Sequence, residues 1–143
     1  MLRALAIILT IAVFAHCTAN PSTAQQQNPR TTLAFPGAEG YGRFARGGRG
    51  GDVYHVTNIN DAGPGSFRDG IDTATGPRTI VFEVSGTIEL KSRLTIRHNG
   101  LTIAGQTAPG DGITFKDNKL SFRESSDLIV RYIRVRLGDR KNK

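Results

Sequence analysis

A chain of 143 residues has room for one domain and too little for two well-packed ones. Its 38% apolar content allows a core of modest size, and one cysteine alone excludes a disulfide framework within the chain. Nineteen Lys and Arg against 12 Asp and Glu leave a formal charge of +7, which suits nucleic acid, an anionic lipid face or an acidic polymer without choosing among them.

Residues 1–24 read as a secretory signal peptide. Arg3 supplies the positive start, Ala4 to Ala15 an apolar run, and Ser22-Thr23-Ala24 a small-x-small cleavage site. The run is too short for a spanning helix, which needs about 20 apolar residues, so no membrane anchorage is expected. Cys17 lies inside this leader with His16 before it, which does not fit lipidation. Cleavage after Ala24 leaves a mature chain without cysteine, secreted or periplasmic, that relies on packing and backbone ladders.

Residues 25–32 (QQQNPRTT) form a polar, aperiodic lead-in. Residues 33–77 are expected to be an N-terminal cap. Its glycine-dense stretch GAEGYGRFARGGRGG suits positive φ or close backbone approach. Asp52 to Thr57 alternates, with Val53, His55 and Thr57 on one face and Tyr54 and Val56 on the other, as in a short strand. Asn58 to Gly65 is turn chemistry. Ser66-Phe67-Arg68-Asp69 fits a capping box, which predicts a short helix from Phe67 to about Asp72.

From Arg78 onward short strands recur. Inward pairs or triplets are Ile80/Phe82/Val84, Ile88/Leu90, Leu94/Ile96, Leu101/Ile103, Ile113/Phe115 and Leu120/Phe122, separated by turn residues. Leu128 to Leu137 is longer, but Leu128, Val130 and Tyr132 are out of phase with Ile133, Val135 and Leu137, which predicts a bend or bulge near Tyr132. Strands this short suit a solenoid, a barrel or a sandwich. No Asn-Gly or Asp-Gly pair sits squarely between matched hairpin strands, which favours the solenoid. Strand groups starting at 80, 94, 113 and 128 are 14, 19 and 15 residues apart, short and irregular for full coils.

Long motifs then resemble the N-terminal half of a bacterial pectate lyase-like protein. They run from Phe35-Pro36-Gly37-Ala38-Glu39-Gly40-Tyr41-Gly42 through Gly47-Gly48-Arg49-Gly50-Gly51 and Val53-Tyr54-His55-Val56-Thr57. Asp61-Ala62-Gly63-Pro64-Gly65-Ser66-Phe67-Arg68-Asp69, Arg78-Thr79-Ile80-Val81-Phe82 and Val84-Ser85-Gly86-Thr87-Ile88 follow. Leu101-Thr102-Ile103-Ala104-Gly105-Gln106-Thr107-Ala108-Pro109-Gly110 and Leu128-Ile129-Val130-Arg131-Tyr132-Ile133-Arg134-Val135-Arg136 complete the series. The resemblance implies an all-β fold, a right-handed parallel β-helix with an N-terminal cap containing one short helix, whose first coils occupy residues 78–143. It also implies β-elimination on pectate or another uronate-containing glycan, with Ca²⁺ as the family's metal. The family's catalytic arginine and calcium-binding aspartates lie in coils after the strand corresponding to Leu128–Arg136. The resemblance thus carries over no catalytic residue and no metal ligand, and the expectation is a monomeric, truncated fragment, inactive alone. The alternative is a non-catalytic glycan-binding β-helix module.

Arg131, Arg134, Arg136, Arg140, Lys141 and Lys143 form a basic run near the C-terminus. It is either a groove attracting polygalacturonate, with Arg134 and Arg136 as substrate contacts, or a solvated strand face with a frayed end. Gly40 to Ala45 matches a relaxed dinucleotide fingerprint but lacks the strand before and the helix after. Two Arg-Gly-Gly units at 46–51 read as a cap loop in preference to an RNA-binding array, so no nucleic-acid partner is expected. His55 and His98 are isolated, and Asp111, Asp117, Glu124, Asp127 and Asp139 are scattered, with none at metal-ligand spacing.

Overall fold

The computed structural model describes residues 32–138. The expected signal peptide, Cys17, nearly all of the lead-in, and Asp139, Arg140, Lys141 and Lys143 lie outside the described residues.

The described residues form nine short strands and one short α-helix. In order these are β1 (Asp52–Val56), α1 (Phe67–Asp72), β2 (Arg78–Phe82), β3 (Gly86–Glu89), β4 (Leu94–Ile96) and β5 (Leu101–Ala104), then β6 (Ile113–Lys116), β7 (Leu120–Phe122), β8 (Leu128–Arg131) and β9 (Ile133–Arg136). They build three sheets, ordered β1-β2-β5-β8, β3-β6-β9 and β4-β7. Every pairing is parallel, the arrangement expected of a parallel β-helix and not of a hairpin barrel or sandwich. From β2 on, consecutive strands visit the first, second and third sheet in turn, and then the first again.

Register shows why the spacing looked irregular in the sequence. Asp52 pairs with Arg78, Arg78 with Leu101 and Leu101 with Leu128, steps of 26, 23 and 27 residues. In the second sheet Gly86 pairs with Ile113 and Ile113 with Ile133, steps of 27 and 20. The intervals of 14, 19 and 15 compared strands of different sheets: 80 and 128 belong to the first, 113 to the second and 94 to the third. Step length varies because corners differ. Residues 105–112 join β5 to β6 and include a 3₁₀ turn at Gly105–Thr107, whereas Tyr132 alone joins β8 to β9.

Alternation decides which side chains point inward. Ile80, Ile88, Leu94, Ile96, Leu101, Ile103, Ile113 and Phe115 are buried in one cluster. The phase slip near Tyr132 is the turn between two sheets: Tyr132 takes φ +56° at the corner, so the long strand predicted for 128–137 is two strands. Gly112 occupies the equivalent corner one step earlier with φ +78°.

Helix α1 occupies the predicted residues, and half of the capping box forms. The Ser66 hydroxyl accepts from the Asp69 amide at 3.2 Å, but the Asp69 carboxylate does not return to the Ser66 amide, which donates to the Gly63 carbonyl. Tyr54 has claimed that carboxylate, its hydroxyl donating to Asp69 Oδ2 at 2.5 Å. Phe67 inserts from the helix into the sheets' interior, its ring 4.6 Å from that of Phe115 and 5.9 Å from that of Phe82. Gly70 allows this approach, since a Cβ there would stand 2.6 Å from the Tyr54 ring.

The glycine-dense segment lies on the outer face of the first sheet. The Gly48 amide donates to Thr102 Oγ1 at 2.9 Å, and a Cβ on Gly48 would stand 2.2 Å from the Arg78 carbonyl oxygen. Phe35, just before this segment, lies under the Arg131 guanidinium at 4.0 Å.

Candidate functional site

The outward residues of the second sheet fall into two rows set by register. One row is Thr87, Thr114 and Arg134, and the next is Glu89, Lys116 and Arg136. Arg134 Nε donates to Thr114 Oγ1 at 3.0 Å, and its Nη2 donates to the Asp111 carbonyl. Both bonds fix the guanidinium against the strand behind it while leaving it exposed. Lys116 is ion-paired to Glu89, and Arg136, next in that row, makes no ion pair among the described residues. Charge therefore runs from neutralised at Glu89–Lys116 to cationic at Arg134 and Arg136.

The basic run does not form one stripe. Arg131 precedes the corner at Tyr132 and belongs to the first sheet, where its guanidinium stacks over Phe35 and, at 5.0 Å, over Tyr132. Only Arg134 and Arg136 of the described run share the second sheet's outer face. A polyanion laid along that face would meet two guanidinium groups spaced by one inward residue, Val135, on adjacent outward positions of one strand.

A second basic feature draws on residues far apart in sequence. Where β2, β5 and β8 begin, a cleft of about 520 Å³ opens between the glycine-dense segment and the preceding turns, with Arg46, Arg49, Arg97, His98 and Asp127 among its lining residues. The two Arg-Gly-Gly units thus pack against a sheet, and the fingerprint at 40–45 is a single 3₁₀ turn, Tyr41–Phe44, with β1 coming after it. The fingerprint therefore lacks the strand before and the helix after that dinucleotide binding requires.

The most strongly held charge is structural, and the sequence reading did not single it out. Arg78 is buried and reaches four partners: Asp52 Oδ1 at 2.9 Å from Nε, Asp52 Oδ2 at 2.6 Å from Nη2, and the Gly70 carbonyl and Thr73 Oγ1 at 2.9 and 2.8 Å from Nη1. Its guanidinium also lies 5.3 Å from the Tyr54 ring centre. The bond from Arg78 holds the Asp52 carboxyl below its ordinary 3.8, against the opposing effect of burial. Burial, followed by the bond to Asp69, raises the Tyr54 phenol above 10.0. These groups clamp β1, β2 and α1 together.

The two histidines have partners that sequence spacing could not reveal. His55 Nδ1 is 2.6 Å from Glu83 Oε1 on the exposed face. His98 places Nδ1 2.9 Å from the Asn99 carbonyl and Nε2 3.2 Å from the Ala74 carbonyl. Ca²⁺, implied by the resemblance, requires several converging oxygens. Among the described residues no three His, Cys, Asp or Glu side chains come together to hold a metal. Among the described residues no helix is long and apolar enough to cross a membrane.

No protein-family model matches the chain. Curated relatives are nevertheless similar. A probable pectate lyase C of Emericella nidulans is 57% identical over 106 residues, covering 74% of this chain and 24% of that protein. Proteins of the same name from Aspergillus terreus and Aspergillus fumigatus are each 53% identical over 106 residues, again 74% of this chain, and 25% and 24% of theirs. The chain spans about a quarter of the length of the relatives it matches, less than the half inferred from motifs, and these relatives are fungal, whereas the motifs were likened to bacterial proteins.

Proposed function

From the premise that this chain belongs, over the matched residues, to the pectate lyase-like family, we propose that it supplies the opening coils of a secreted polysaccharide lyase. The whole protein would cleave pectate or another uronate-containing glycan by β-elimination, on a right-handed parallel β-helix. The observation that carries this reading is the 57% identity over 106 residues. The three-sheet parallel register supports it, since successive strands rise through the sheets in the order a coil requires. Within this stretch the proposed contribution is scaffold and attraction. Arg134 and Arg136 present positive charge outward from β9, where an acidic polymer could lie along the sheet.

The reacting groups are proposed to lie in later coils. Incubating the 143-residue chain with polygalacturonate should then yield no unsaturated uronide, read by absorbance of the C4–C5 double bond. Robust turnover would place the chemistry within these residues.

The cationic outer face also favours a second reading, a non-catalytic glycan-binding module. Retention on immobilised polygalacturonate, weakening as salt rises from about 0.05 to 0.5 M, supports it. Passage at low salt removes it.

A further inference from the structure

We propose that the cleft between the glycine-dense segment and the turns preceding β2, β5 and β8 binds one acidic sugar residue, its carboxylate held by Arg46 and Arg97. The sugar class rests on the acidic-polysaccharide reading above. The cleft itself is separate from the face that carries Arg134 and Arg136, and its geometry is independent of that reading.

The cleft keeps positive charge that its neighbours do not cancel. Arg49 is anchored by bonds to the Leu33 and Ala34 carbonyls, which orient the guanidinium without neutralising it. Arg46 has no ion pair among the described residues. Arg97 has Glu124 at 3.7 Å, with both side chains more than half exposed, and such a pair is worth little in water. These two guanidinium groups are therefore available to a planar carboxylate, which accepts two parallel N–H bonds from each fork.

The remaining groups define the wall and the polarity. Both ring nitrogens of His98 face backbone carbonyls, and Asn99 Oδ1 accepts from the Ser126 amide and hydroxyl at 2.8 and 3.0 Å. These side chains shape the wall and are already committed. Asp127 accepts from the Arg46 amide through Oδ1 at 3.3 Å, leaving Oδ2 to accept from a hydroxyl. Three guanidiniums, Arg46, Arg49 and Arg97, around one carboxylate leave the cleft net cationic, and the free Asp127 oxygen asks for an anion that also carries hydroxyl donors, which describes a uronic acid. A fully ionised sulfate or phosphate has no such donor and would leave that oxygen unmatched.

Titrating the 143-residue chain with trigalacturonate, galactotriose and inorganic sulfate, followed by amide shifts at Gly47, Gly76 and Gly100, tests this. Trigalacturonate should shift all three, galactotriose and sulfate far less. Arg46→Ala with Arg97→Ala should weaken binding at least about tenfold, while Arg134→Ala with Arg136→Ala leaves the cleft shifts unchanged. Amide shifts of β2 and β5 matching the parent chain verify that the exposed substitutions leave the fold intact. Unchanged binding in the Arg46/Arg97 variant overturns the cleft site. If the Arg134/Arg136 variant alone abolishes binding, the polysaccharide reading stands and the cleft falls. Sulfate binding as tightly as trigalacturonate overturns the sugar assignment, and no response to trigalacturonate anywhere overturns both.

Discussion

The two ends of the strand stack carry the same kind of sequence and differ in what lies beyond them. At the β1 end, α1 closes the interior with Phe67 and Ile71, and Arg78 ties the helix to both neighbouring strands. At the β7–β9 end no further strand lies over the last step among the described residues. In the first sheet Ile80 and Ile103 are 0% exposed, whereas Val130, next in register, is 37% exposed. The second sheet repeats the contrast, with Ile88 and Phe115 buried and Val135 at 46%. An inward-pointing apolar residue is thus necessary for burial in a parallel stack but not sufficient, because the neighbouring step supplies the contact.

Substitutions at the two ends should separate accordingly. Phe67→Ala, emptying the plugged end, should cost about 3–5 kcal/mol by chemical denaturation. Val130→Ala should cost below about 1 kcal/mol, since its surroundings are partly water already. Equal losses at the two positions would mean that the last step is covered as well as the first.

The Arg78 clamp should rank next. Arg78→Ala should cost about 2–3 kcal/mol, under the range for a fully buried pair because Asp52 is largely in solvent. The pH dependence follows from the two shifted groups. Asp52 titrates lower in the folded chain than its ordinary 3.8, so its contribution is complete above that value and is lost as pH falls through the folded pKa. Tyr54 titrates above 10.0 when folded, so stability declines as pH rises past that value. Asp52→Asn should flatten the acid side of a stability-versus-pH curve and leave the alkaline side, and Tyr54→Phe should do the reverse at a cost of about 1–2 kcal/mol, since its hydroxyl donates to Asp69 and accepts from the Gly65 amide at 2.9 Å. An acid limb unchanged in Asp52→Asn would exclude this carboxyl as its source.

The smallest effect lies at the open end. Tyr132 holds φ +56° at a corner where Gly112 serves one step earlier. Relief of that conformation by Tyr132→Gly should raise stability by about 1 kcal/mol, read as a shift in denaturation midpoint. A loss would show that the ring's contact with Arg131 outweighs the backbone strain.

What was legible in the sequence was local. Period-two alternation located the inward residues from Ile80 to Phe115, and the phase slip at Tyr132 marked a real corner. The short helix at 67–72 followed from Ser66 and its flanking turns, but the second half of its cap did not form because Tyr54, 15 residues away, takes the Asp69 carboxylate. What could not be read depends on chain return. Asp52 meets Arg78 and His55 meets Glu83 only because one step of the stack advances by roughly a quarter-hundred residues and brings them side by side. Arg46 reaches the cleft with Arg97 because the glycine-dense segment folds over the outer face of the first sheet. The basic run at 131–136 looked continuous because sequence does not show that Tyr132 divides it between two sheets.

Residue-by-residue amide hydrogen exchange on the 143-residue chain tests most directly whether each parallel step is stabilised by the one beyond it. Protection should be greatest in β2, β5 and α1 and should fall through β6 to β7, β8 and β9. Protection in β8 and β9 equal to that in β2 and β5 would contradict an open last step, and with it the origin assigned here to the exposure of Val130 and Val135.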